Sequence, residues 1–130
     1  MADLPHILFV DDEEHILRAI KRRLHYGNVQ WKFSFADRAT KAVEILNGET
    51  PVDVVVTDHM MPRFNGYELV MYILAEHKEV SPIILSGNCD KLHREEFDRL
   101  DVPFFEKPLP TNELIDTITT LLNEKEKASA

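Results

Sequence analysis

Asp11-Asp12, Asp58, Ser86 and Lys107 are the residues whose types suit a shared chemistry, and each lies at or just past the end of a short apolar run. Three carboxylates brought within a few ångströms repel one another, so such a group persists only with raised pKa values or a bound cation. Hard carboxylate oxygens select Mg²⁺ or Mn²⁺. Lys107 would add a positive point charge and Ser86 a hydroxyl, around one carboxylate able to act as nucleophile. Charge neutralisation and in-line positioning are what phosphoryl transfer requires of a protein. Each residue also has a plain structural reading. Asp11 and Asp12 would cap a helix, Asp58 would begin a turn before Met61-Pro62, and Ser86-Gly87 and Lys107-Pro108 would end strands. Singly those readings are the better ones; four chemically suited strand ends in one order make coincidence a poor account.

The elements that must position these residues are legible from apolar periodicity. Runs at 7–10, 52–57, 83–85 and 104–105 are too short for helices and read as strands buried on both faces. Residues 29–35 alternate apolar and polar, which predicts a half-exposed strand at a sheet edge. Helix-period spacing links Ile16, Ile20 and Leu24; Ala39, Val43 and Leu46; Leu69, Val70, Ile73 and Leu74; and Leu114, Ile115, Ile118, Leu121 and Leu122. Residues 90–100 form a weaker helix with Asp90 as its N-cap. The order βαβαβαβαβα gives an α/β fold, a doubly wound parallel sheet with helices on both faces. In such a sheet all carboxyl strand ends share one edge, where ligands bind.

The composition bounds the remaining choices. A chain of 130 residues with 44% apolar content has room for one domain with a real core. A formal charge of -8 argues against a nucleic-acid-binding surface. The single Cys89 makes no internal disulfide, residues 1–6 lack the features of a signal peptide, and no apolar run is long enough to span a bilayer. Together these predict a protein of the reducing cytoplasm, away from membranes.

With these pieces in place, the sequence closely resembles the response-regulator receiver family of two-component signalling, from about Ile7 to about Leu122. The matching pieces are Ile7-Leu8-Phe9-Val10-Asp11-Asp12-Glu13; Val54-Val55-Val56-Thr57-Asp58-His59-Met60-Met61-Pro62 with Gly66; Ile84-Leu85-Ser86-Gly87; and Phe104-Phe105-Glu106-Lys107-Pro108. The resemblance implies a flavodoxin-like five-stranded sheet of order 2-1-3-4-5 and a receiver domain over residues 4–124, with 125–130 a polar tail or the start of a linker. It makes Asp58 the phosphoacceptor and Asp11, Asp12, Asp58 and the Met60 backbone carbonyl the ligands of Mg²⁺ or Mn²⁺. Ser86 and Lys107 fall where the family contacts the phosphoryl group, Phe104 at its switch aromatic, and Pro108 at a cis-peptide position. The implied donor is a histidine kinase or histidine phosphotransfer protein. The implied output is a downstream domain or protein, reached through the face of the fourth helix, fifth strand and fifth helix. On this reading the chain is a phosphorylatable switch and not an enzyme acting on a separate substrate.

Two rival functions are weighed against it. A haloacid-dehalogenase-type enzyme also uses a strand-end Asp, Mg²⁺ and Lys, but would carry an acidic proton donor where Met60 stands. A non-phosphorylated receiver-like interaction module would lack part of the acidic set or the Lys, and here all are present. Two departures from many relatives matter: Phe104 brings no hydroxyl, and Met60 offers no polar group to orient hydrolytic water. The phosphoryl group should therefore be lost more slowly than from Met60→Asn or Met60→Glu variants. Equal decay rates for all three proteins would mean that access, or the Asn88 side of the pocket, controls hydrolysis.

Overall fold

Complete burial of the first apolar run sets the frame. In the computed structural model, which describes residues 4–26, 29–59, 66–87, 89–107 and 111–129, every residue of β1 (His6–Val10) is buried. The chain then continues as α1 (Glu14–Tyr26), β2 (Lys32–Ala36), α2 (Ala39–Leu46), β3 (Val54–Thr57), α3 (Gly66–Glu76), β4 (Ser81–Ser86), α4 (Lys91–Arg99), β5 (Phe104–Glu106) and α5 (Thr111–Ser129). All pairings are parallel and the strand order is β2-β1-β3-β4-β5. The expected doubly wound α/β architecture is thus the observed one. Among the described residues no helix is long and apolar enough to cross a membrane.

Period-two alternation divides the strand residues between two cores. Leu8, Val10 and Val55 pack with Ala42, Leu46, Leu69 and Ile73 of α2 and α3. Ile7, Phe9, Val54, Val56, Ile83 and Leu85 pack with Ile20 and Leu24 of α1 and Leu114 and Ile118 of α5. A smaller cluster, Val70, Ile84, Phe97 and Val102, seats α4.

Register delivers the strand ends together. Val10 lies beside Ala36 and Thr57, and the ladder runs one residue further, with Asp58 N–H donating to Val10 O at 2.9 Å and Asp11 N–H to Ala36 O at 3.1 Å. Asp11 and Asp58 therefore leave adjacent strands at the same height. Ser86 pairs with Glu106, and its carbonyl accepts the Lys107 N–H at 3.0 Å.

Some boundaries differ from those predicted. β2 begins at Lys32, not 29, because its pairing with β1 starts at His6; Val29 and Trp31 still pack on the core. β4 is longer than 83–85 and includes Pro82, which lacks a backbone donor. Ile84 N–H points toward β5, donating to Pro103 O. Pro82 faces the same way two residues earlier, before β5 begins, so no ladder bond is lost. Asp90 caps α4 as expected, accepting the His93 N–H at 2.8 Å. α5 runs on to Ser129, so the polar end continues a helix past residue 124.

Gly66 is demanded by close approach. A Cβ there would collide with Asp58 O and lie 2.7 Å from His59 Cα, both backbone atoms. Gly66→Ala should therefore displace the Asp58–His59 peptide and lower stability by about 1–3 kcal/mol, the usual cost of overpacking. The urea midpoint measures this, and a midpoint equal to wild type would show that the loop accommodates the methyl freely.

Candidate functional site

Asp11 and Asp58 are the buried floor of a carboxylate group, 3% and 6% exposed, while Asp12 and Glu13 form its outer wall. One oxygen from each of the four lies within 4.8 Å of the others. The Asp11 side chain also accepts the Glu13 N–H at 2.9 Å, which folds the start of the β1–α1 turn back over the site.

Lys107 enters this group from the end of β5. Its Nζ lies 2.8 Å from Asp11 Oδ2, 3.2 Å from Glu13 Oε1 and 3.4 Å from Asp58 Oδ2. Burial opposes the ammonium charge. The hydrogen bond to Asp11 and the charges of Asp11 and Asp58 outweigh that cost and raise the Lys107 pKa well above its ordinary value. Asp11 is also raised, chiefly by burial and further by Asp58, although the bonds from Lys107 and the Glu13 N–H pull the other way. Both ways of relieving carboxylate crowding thus operate: a raised carboxyl and a resident cation, the cation being a side chain.

The donor set is all hard oxygen on two buried and two exposed carboxylates, which suits a divalent cation entering from solvent. The expected ligands Asp11, Asp12 and Asp58 are brought together. The Met60 carbonyl and the Lys107–Pro108 peptide lie outside the described residues.

Ser86 is buried at 1% exposure at the end of β4, next to the strand that carries Asp58. Thr57 Oγ donates to Asp58 O at 3.0 Å and steadies the peptide that carries the carboxylate. Phe104 opens β5 opposite Ile84 and is half-buried. The Arg94 guanidinium lies 4.7 Å from its ring centroid and bonds Glu106 at 2.8 Å. Arg94 and Phe104 line an open groove of about 540 Å³ with Lys91, Glu95 and Asp98.

Sequence reasoning passed over two residues. Glu13, the third carboxylate on Lys107, was legible as the next acidic residue after Asp11-Asp12. His59 is 1% exposed, and its ring lies 4.8 Å from that of His93 and 5.7 Å from Phe97. Its partners come from α4, so nothing local signalled it. Burial, followed by the proximity of His93, holds its pKa below the ordinary histidine value.

Residues 7–119 match the family described as "Response regulator receiver domain". The chain is similar to the two-component response regulator ORR5 of Oryza sativa subsp. japonica, 32% identical over 85 residues, or 64% of this chain and 62% of that one. It is also similar to the response regulator SaeR of Staphylococcus aureus (strain USA300), 26% identical over 127 residues, or 95% of this chain and 53% of that one. It therefore spans only part of the length of these curated relatives. Among solved structures, it superimposes on the signal receiver domain of an HD domain-containing protein from Pseudomonas fluorescens Pf-5. The TM-score is 0.85 at 26% identity, covering 96% of this chain and 99% of that one.

Removing the Lys107 charge tests the electrostatic frame. In metal-free protein at neutral pH, Lys107→Met should cost roughly 3 kcal/mol, as when one partner of a buried ion pair is removed. The sign with pH follows from the two raised groups. The Lys107 contribution is complete below its ordinary unfolded pKa, so it is fully present at neutral pH. A carboxyl raised in the fold binds its proton more readily there than in the unfolded chain, so falling pH favours the native state through that range. Without Lys107 the Asp11 carboxyl should rise further, so the deficit of the variant should shrink at mildly acidic pH. Urea midpoints at the two pH values measure it, and a constant deficit would place the loss in packing.

Proposed function

The chain belongs to the response regulator receiver domain family, and on that premise we propose that Asp58 is its phosphoacceptor, charged by a histidine kinase or histidine phosphotransfer protein in a Mg²⁺-dependent reaction. The carrying observation is the bridging of Asp11 and Asp58 by Lys107, at 2.8 and 3.4 Å. A cation already within reach of the reacting carboxylate can follow the charge onto an incoming phosphoryl oxygen without a large rearrangement.

Asp11, Asp12, Asp58 and the Met60 carbonyl would hold the Mg²⁺, which when bound supplies neutralisation of the phosphoryl charge. An Asp58 oxygen attacks the phosphorus of the donor phosphohistidine, forming a P–O bond as the P–N bond breaks. Lys107 then shares its ammonium hydrogens with a phosphoryl oxygen, and the Ser86 hydroxyl donates to another. Both contacts exist only in the phosphorylated state, so they bias the equilibrium between two conformations.

The readout in this reading is the face of α4, β5 and α5, which acts on an output domain or protein and contacts neither nucleic acid nor membrane itself. Phe104 turns toward Ser86 as the switch operates, and to do so it must leave the Arg94 guanidinium that now covers its ring. The receiver in this reading spans residues 4–124, with 125–130, into which α5 continues, a polar tail or the start of a linker. A phosphohistidine donor and the lone free Cys89 both fit the cytoplasm. The non-phosphorylated module is disfavoured because Asp11, Asp12, Asp58, Ser86 and Lys107 are all present and the first three converge with the lysine.

Incubation with acetyl phosphate and Mg²⁺, followed by intact mass, should show one phosphoryl group on the wild type and none on Asp58→Asn. Asp12→Ala should need more Mg²⁺ for the same yield, having lost one hard oxygen ligand. A wild type that stays unmodified at saturating donor and metal would return the chain to the class of pure interaction modules.

A further inference from the structure

The residue that follows Asp58 carries a second polar group, its ring set against His93 and Phe97 of α4. Neither Nδ1 nor Nε2 of the buried His59 ring has a hydrogen-bond partner among the described residues. An imidazole always carries at least one N–H, so among the described residues a buried donor stands unmatched, a costly condition that native structures rarely keep without a reason. The ring does have polar neighbours just beyond bonding distance. Asp90 Oδ2 lies 4.0 Å from His59 Nε2 and 2.6 Å from His93 Nδ1. One donor atom from each of His59, Asp90 and His93 lies within 4.8 Å of the other two.

We propose that His59, Asp90 and His93 form a second metal site, selective for a borderline divalent transition metal such as Zn²⁺ and separate from the acidic group around Lys107. Two imidazoles and one carboxylate are the donors that such ions prefer, whereas Mg²⁺ takes oxygen. The exposure gradient is that of a usable site. His59 is enclosed, while Asp90 and His93 are open enough to admit an ion and leave a position for water. Tetrahedral coordination at bonds of ~2.0–2.1 Å places ligand atoms ~3.3 Å apart. Loading therefore requires the 4.0 Å gap to close by a fraction of an ångström and the tight Asp90–His93 contact to open into shared coordination.

The elements involved give the site a consequence. Asp90 is the N-cap of α4 and His93 lies in its first turn, while His59 is bonded directly to the residue proposed to take the phosphoryl group. A bound ion would pin the start of α4 to the end of β3 and supply the buried ring with a partner that the described residues do not give it. This goes beyond phosphoryl transfer and does not depend on it.

The test uses untagged protein in excess Mg²⁺, which keeps the acidic group occupied, titrated with Zn²⁺ and with Co²⁺ as a spectroscopic probe. Expected are one equivalent bound, visible Co²⁺ d–d absorption of a low-coordinate site, and Zn²⁺-dependent ¹⁵N shifts of the His59 and His93 rings. His59 variants risk misfolding, so the deciding variants are His93→Gln, on a partly exposed residue, and Asp90→Asn, which preserves the helix cap. Each should weaken Zn²⁺ binding by roughly tenfold or more, the usual effect of disturbing a metal's ligand environment. Zn²⁺ bound by both variants as tightly as by wild type, or ring nitrogens that do not shift at saturation, would overturn the site.

Discussion

Lys107 determines whether the carboxylates of this domain can share one pocket. Asp11, Glu13 and Asp58 come from two different segments and would separate if left alone, because each removes solvent from the others without offering a donor. The ammonium gives all three a common partner at 2.8–3.4 Å. Its stem passes close to Gly87, where a Cβ would only just touch it. The turn after β4 thus leaves the lysine its path, and the carbonyl of Ser86 fixes its backbone. The same arrangement that stabilises the resting pocket keeps a positive charge next to Asp58.

That pocket exists only because five strands end in register. Asp11 and Asp58 are neighbours since β1 and β3 pair from Ile7 with Val54 onward, and a one-residue slip would turn one carboxylate into the core. The slip is prevented by the two apolar faces, whose alternating residues each have a helix to meet. Gly66 adds a local lock, allowing α3 to begin against the Asp58 carbonyl. Core packing and site geometry are therefore one constraint seen at two distances.

The legible part of this structure was the part with local signals. Buried strands announce themselves as apolar runs, the edge strand β2 as an alternating one, and the N-cap of α4 as an Asp before a weak helix. The strand ends carry Asp11, Asp58, Ser86 and Lys107, and topology alone brings strand ends to one edge, so the site could be read without coordinates. The start of β2 could not, because strand length there is set by where β1 begins, not by the alternation, which extends further. The meeting of His59 with Asp90 and His93 was hidden for a similar reason. It depends on how α4 lies across the sheet, and α4 has only one buried side chain, Phe97, to declare that orientation.

The loose seating of α4 links the pocket to the outer face. Its Leu92 is 78% exposed and most of its remaining surface is charged, so few apolar contacts hold it in place. Elements with little buried apolar area open and shift at low free-energy cost. What positions α4 besides Phe97 is largely polar: Arg94 spans Phe104 and Glu106 on β5, and Asp90 with His93 faces His59 at the end of β3. These polar contacts are modest and reversible, unlike the cores that fix the other helices. On the proposed function, a change in charge at Asp58 would act on the strand end next to one of them, and a turn of Phe104 would remove the other. The helix whose packing contributes least to the fold is therefore the one through which a small event at the carboxylate pocket can be felt at the surface.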